Sequence, residues 1–378
     1  MWRRARGPLA GALALAACIG ALALLTGGED ELAEPKLEPA PPAFLGMVAE
    51  DAFGKPGRYR RNNLGRLRSA GAGIVRQTFD WARIERSPGS YDLRFYDRFV
   101  ADLTQRNLRV LPIVFNPPPF RSSAPAGDPR RGTYPPARPA DMGRFAAVLT
   151  RRYGPGGTIW RENPKLPYRP IRSWQIWNEP NLPVYWPTGP DPAAYVRLLR
   201  ATGRAIERVD PKAEIVMAGL PESGLGTPPT RYLAGMYAAG GAGAFDALAL
   251  HTFGGTAEDT LAAARAARRV AAAAGDDPGL WITELGWATG GPPSEFRVSE
   301  AEQAELLDST LRAMGRRRED LGLRAVVYFN WRDSLPYEGG RDFFGLHTGL
   351  VSRDGQPKPA LGAYRGVART LGQLPKGL

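Results

Sequence analysis

From residue 43 to the C-terminus the chain repeats one pattern. A short, nearly all-apolar run is followed by a loop, then by a longer stretch with apolar residues at helical spacing. The apolar runs read as strands over Phe44–Val48, Gly73–Gln77, Arg109–Phe115, Arg172–Trp177, Glu214–Gly219, Ala247–His251, Leu280–Glu284 and Arg324–Asn330. The helical stretches are Tyr59–Ala70, Phe95–Arg106, Asp141–Tyr153, Pro192–Val209, Arg231–Ala238, Ala257–Ala274, Ser299–Met314 and Lys358–Leu371. Strands that are apolar throughout, rather than alternating, belong to a parallel sheet covered on both faces. Eight strand–helix pairs in succession predict an α/β fold, the (β/α)8 or TIM barrel, which ordinarily needs about 250 residues. The surplus falls in loops after strands: Asn116–Pro139, Asn181–Asp191 and Trp331–Gly349. In such barrels that end of the strands holds the site.

The segment before the barrel has a different character. Arg3, Arg4 and Arg6 precede an apolar stretch from Pro8 to Thr26. Its length lies between the core of an export signal and a spanning helix of ~20 residues. Residues 1–26 are therefore expected to be a signal peptide or membrane anchor that contacts the membrane. The barrel is then expected to be exported to the cell envelope or beyond. The arginines fit the inside end, with Glu29-Asp30-Glu31 outside. Leu15-Ala16-Ala17-Cys18 resembles a lipoprotein cleavage box, but Ile19–Leu25 stays apolar and argues against lipidation. Residues 27–42 read as an acidic, proline-rich linker and 43–378 as the barrel domain.

Composition adds little. The chain has 378 residues, 43% hydrophobic, enough for a large core. Its net charge is +12. The basic residues are scattered, and no aromatic–basic interleaving suggests a nucleic-acid partner. The lone cysteine is Cys18, so the barrel has no disulfide.

Two strands end on a carboxylate. One is Trp174-Gln175-Ile176-Trp177-Asn178-Glu179-Pro180, the other Trp281-Ile282-Thr283-Glu284-Leu285-Gly286. Each glutamate alone could cap a helix or pair with an arginine. Together, from different strands on one face, they supply what cleavage of a glycosidic bond needs: a proton donor for the leaving oxygen and a second carboxylate to attack the sugar or activate water.

Trp177-Asn178-Glu179-Pro180 on strand four and Thr283-Glu284-Leu285-Gly286 on strand seven resemble the signature of glycoside hydrolase clan A, nearest its cellulase-type and β-xylosidase/iduronidase-type families. The resemblance spans the chain after the linker. It implies a retaining glycosidase acting on an oligo- or polysaccharide without a cofactor, with Glu179 as acid/base and Glu284 as nucleophile. It also implies that Arg76 orients the nucleophile, that Asn178 binds the sugar 2-hydroxyl, that His251 belongs to the site, and that Trp331 forms the platform under the sugar. Phe253 departs from the pattern, since the family has a tyrosine there that hydrogen-bonds the nucleophile. Trp287, Tyr185 and Trp186 are weaker aromatic candidates, and Asp80 and Asp333 lie just past strand ends.

Other barrel chemistries fit less well. The only histidines are His251 and His347, too few for a histidine-rich metal centre. No lysine lies inside a predicted strand to form a Schiff base. Two alternatives share the residues: a barrel that binds envelope polysaccharide without cleaving it, and a retaining transglycosylase.

Overall fold

Eight parallel strands close on themselves. A computed structural model describes residues 36–50, 56–130, 132–337 and 340–375. The expected export or anchor segment with Cys18 lies outside the described residues, as does the linker up to residue 35. Among the described residues no helix is long and apolar enough to cross a membrane.

The barrel strands are β1 (Leu45–Val48), β2 (Ile74–Asp80), β3 (Arg109–Phe115), β4 (Ser173–Ile176), β5 (Glu214–Val216), β6 (Ala247–Phe253), β7 (Gly279–Gly286) and β8 (Leu323–Tyr328). They pair in sequence order, and β8 returns to β1 to close the ring. β5 is short and meets β6 at a single register pair, Val216 opposite Ala247. Leu220–Pro221 then adds a second pairing with β6. The predicted run Glu214–Gly219 is thus broken after Val216.

The covering helices are α1 (Gly57–Ala70), α2 (Arg94–Thr104), α3 (Pro139–Tyr153), α4 (Pro192–Glu207), α5 (Pro229–Ala238), α6 (Ala257–Ala273), α7 (Glu300–Arg316) and α8 (Pro359–Thr370). Their starts follow local chemistry. Thr256 with Asp259 and Ser299 with Glu302 form capping boxes, each satisfying otherwise orphaned N–H groups. Asp191 caps α4, and proline at its first turn costs nothing there.

Three elements were not legible in the sequence: a short helix Trp81–Ile84, a hairpin of Glu85–Ser87 with Ser90–Tyr91, and a short helix Thr158–Glu162. The compact unit begins at Leu37, earlier than the expected boundary at 43. Leu37 and Ala40 pack on the core, and Ala40 N–H donates to Leu371 O at 3.1 Å.

Candidate active site

The C-terminal ends of the strands enclose a cavity of about 710 Å³ lined by Arg76, Asn178, Glu179 and Glu284. β4 ends at Ile176, and the backbone then turns sharply. Trp177 has φ 75° and Glu179 φ 45°. Both lie in the left-handed region, where a bulky side chain is strained. The conformation is held by packing. Trp177 N–H donates to Val114 O at 3.1 Å, and its ring nitrogen donates to Tyr185 O at 3.0 Å. Its ring also stands edge-on to Phe115 at 4.6 Å. The turn brings the successive residues Asn178 and Glu179 both to the cavity.

β7 uses a different device. Against β6, Ile282 pairs with Leu250 and Glu284 with His251, so Thr283 is an extra residue on β7. Such a bulge re-aims the side chains after it. Thr283 Oγ1 meets Gln175 Nε2 at 3.3 Å, while Glu284 reaches Arg76.

Arg76, on β2 and 2% exposed, organises the floor. Its Nη1 donates to Glu284 Oε1, its Nη2 to Asn178 Oδ1 at 2.7 Å, and its Nε to Gln175 Oε1 at 2.6 Å. Gln175 is held in turn by donating to Met217 O at 3.1 Å. A guanidinium cannot accept, so His251 Nε2, 3.5 Å from Arg76 Nη2, is the acceptor and Nδ1 carries the hydrogen. Nδ1 lies 2.6 Å from Glu179 Oε1. That bond leaves the other oxygen of Glu179 to hold a proton.

The electrostatics separate the two carboxyl groups. Burial pushes Glu179 up to about 7, with Arg76 opposing. Burial raises Glu284 too, opposed by His251 and Arg76. His251 itself is pushed down to about 3 by burial, so it is neutral near pH 7. The fixed positive charge on Glu284 is therefore Arg76, which bonds it directly, whereas Glu179 has no such bond. Glu179, His251 and Glu284 bring one atom each within 4.8 Å of one another, a spacing that could hold a metal ion. Arg76 already places a cation on Glu284, and His251 Nδ1 is spent on Glu179, so this donor set is poorly free for one.

The sequence-predicted residues divide as follows. Glu179, Glu284, Arg76, Asn178 and His251 come together, with His251 buried behind the two glutamates. Trp331 does not join them, and the platform expectation is corrected. It is 1% exposed, its ring nitrogen donates to Asn63 Oδ1 at 2.9 Å, and Arg66 lies over its face. Phe329, two residues earlier, lines the cavity instead. Trp287 and Trp186 are also buried, whereas Tyr185 lines the cavity. Asp80 caps the short helix through Arg83 N–H, and Asp333 is paired with Lys358 at 2.6 Å. Phe253 packs against Phe329 and Phe344, and no hydroxyl reaches Glu284 from that position. Sequence reading missed Gln175 and Gly219. Gln175 carried a signal, as the one amide inside the apolar run Trp174–Trp177.

A second cavity, about 1060 Å³, opens at the opposite end among strand starts. Its two carboxylates are both engaged, Glu214 with Arg324 and Trp281, and Glu319 with Arg318.

No family model matches the sequence, and no curated relative matches it. Solved structures match the fold. A family 39 glycoside hydrolase from Bacteroides cellulosilyticus WH2 superposes with TM-score 0.62 at 19% identity, over 88% of this chain and 64% of its own. A monomeric β-xylosidase from Caulobacter crescentus CB15 gives TM-score 0.62 at 16% identity, over 88% and 69%. A glucosidase from Croceicoccus marinus gives 0.63 at 16%, over 89% and 69%. The chain thus spans about two thirds of the length of these structures. The likeness establishes the barrel; the chemistry rests on the site.

Proposed function

We propose that the protein is a retaining glycosidase that cleaves a β-linked glycoside by double displacement. The observation that carries this reading is the pairing of Glu179 and Glu284. They approach within 4.8 Å, one pushed up to about 7 by burial and the other bonded to Arg76. Inverting enzymes keep their carboxyl groups ~6.5–9.5 Å apart to admit a water, and retaining ones ~5–5.5 Å. Here one oxygen of each carboxyl group lies within 4.8 Å of the other, so both can reach a single anomeric centre.

In the first step the Glu284 carboxylate attacks the anomeric carbon, the C–O bond to the leaving group breaks, and the Glu179 proton goes to the departing oxygen. In the second, Glu179, now ionised, takes a proton from water as that water displaces Glu284. The sugar is released and both carboxyl groups return to their starting forms. Asn178 Nδ2 is left to meet the sugar, since Oδ1 is engaged by Arg76. The structural neighbours, a β-xylosidase and a glucosidase among them, support a carbohydrate substrate. We place the reaction outside the cytoplasm on the strength of the N-terminal sequence.

The test is sugar release from a panel of β-xylosides, β-glucosides and β-mannosides by the wild type beside Glu284→Gln. Release by the wild type, lost ~10²–10⁴-fold in the variant, is expected. Equal rates in both contradict the reading. Binding without release in either protein would favour the non-catalytic barrel.

A further inference from the structure

We propose that the leaving-group side of this cavity is built for a neutral, apolar chain, so that the substrate is a glycolipid-like glycoside rather than a polysaccharide. This rests on the glycosidase reading and adds the class of aglycone.

The observation is where apolar surface is left exposed. Among the described residues six large hydrophobic side chains stand out, and three of them, Leu225 at 78%, Val184 at 57% and Tyr337 at 44%, line this one cavity. Isolated exposed apolar residues are ordinary, but a contiguous group at the mouth of a pocket marks a binding surface. Val184 belongs to the same loop as Glu179, five residues on, and lines the same cavity as its carboxyl group.

These residues are fixed in place. Asn181, fully buried, stitches the loops after β4 and β5 together. Its Nδ2 donates to Pro221 O and Thr227 O, both at 2.9 Å, and its main-chain carbonyl accepts from Thr227 N–H at 2.9 Å. Gly226 lies so close that a Cβ would fall 2.2 Å from Asn181 O. The stitched loops present Val184 and Leu225 together.

The facing wall is also apolar. Phe253, Phe296 and Phe344 pack together, Phe253 edge to face with Phe344 at 5.2 Å and Phe296 tilted on Phe344 at 4.5 Å. None carries a group that could bond a sugar hydroxyl. The phenylalanine at 253, where the resemblance called for tyrosine, extends this wall. The polar side chains of the cavity, Thr78, Tyr185 and Ser223 among them, can meet the hydroxyls of the sugar, whereas the exposed Val184 and Leu225 offer a hydroxyl no partner. The exposed carboxylates of Glu222 and Glu295 also line the cavity and disfavour a phosphorylated or sulfated aglycone. A cavity of about 710 Å³ falls in the range that buries drug-sized ligands, larger than one sugar ring demands.

The experiment compares kcat/KM for methyl through octyl β-glycosides of one sugar, each below its micelle concentration, with the matching glycosyl fluoride and a β-linked trisaccharide as references. The expected result is a rise of roughly threefold per methylene over the first several carbons, the scale set by burial of one CH₂, and octyl preferred over trisaccharide. In the double variant Val184→Ser, Leu225→Ser the octyl-to-methyl ratio should fall at least tenfold. Turnover of the fluoride with a flat alkyl series, or a trisaccharide preferred to octyl, overturns this inference and leaves the glycosidase reading intact. Loss of turnover on every substrate, fluoride included, overturns both.

Discussion

His251 Nδ1 lies 2.6 Å from Glu179 Oε1, and the imidazole making that contact is neutral near pH 7. A neutral donor orients the carboxyl group without adding a charge that would strip its proton. Burial is thus left to hold Glu179 near 7. Activity should fall as pH rises through about 7, when the acid is lost. Stability should move the same way. A carboxyl whose folded pKa lies above its unfolded value stabilises the fold below the unfolded pKa, and this contribution is lost as pH rises through the folded one. Glu179→Gln removes the buried ionisation. Its thermal midpoint should match the wild type near pH 4 and exceed it above pH 8, by an amount worth on the order of 3 kcal/mol. Equal midpoints at pH 8 would contradict the assignment.

Arg76 answers to Glu284, Asn178 and Gln175 at once. Lysine keeps the charge but not the planar fork. Arg76→Lys should lower kcat ~10²-fold or more through misplacement of both the carboxylate and the amide. Arg76→Ala strands a buried carboxylate and should cost about 3–5 kcal/mol in denaturant unfolding. A lysine variant with wild-type kcat would show that the fork has no role.

Gly219 sits beneath the site. A Cβ there would fall 2.0 Å from His251 Nε2 and 2.7 Å from Thr283 Oγ1. Gly219→Ala should push His251 off Glu179 and lower kcat ~10²-fold. Overpacking should cost about 1–3 kcal/mol of stability. Urea unfolding and steady-state kinetics on the same preparation read both, and a folded variant with unchanged kcat would count against the packing argument.

Trp331 gives the opposite expectation. Its ring nitrogen bonds Asn63 and its face carries Arg66, away from the cavity. Trp331→Phe should cost about 1–3 kcal/mol of stability through the lost bond and packing, with KM unchanged. A raised KM at full stability would restore it to the sugar.

The barrel and the two strand-end glutamates were legible because both are written locally. Apolar runs at regular spacing need no long-range information, and a strand followed by Asn178-Glu179-Pro180 declares its own end. What depends on register was not legible. Phe329 and Trp331 stand two residues apart just past the end of β8, where strand alternation no longer fixes which aromatic faces the cavity. Phe329 takes the place expected of Trp331 for that reason. Gly219 was hidden differently. Its lack of a side chain matters only because His251 and Thr283 arrive from two other strands, a fact of packing rather than pattern. The hairpin near Glu85 and the helix at Trp81 are set by side-chain contacts of Glu85 with Trp81 and Arg121, too sparse to announce themselves in the chain.

The central claim is that Glu284 becomes covalently bonded to the sugar. The most direct test incubates the protein with a 2-deoxy-2-fluoro-β-glycosyl fluoride of the preferred sugar, then maps the peptides by mass spectrometry. The account predicts one added glycosyl group on the peptide bearing Glu284, absent in Glu284→Gln and formed at undiminished yield in Glu179→Ala, because fluoride leaves without a proton. An active enzyme that is never labelled, or labelled at a different carboxylate, would contradict it.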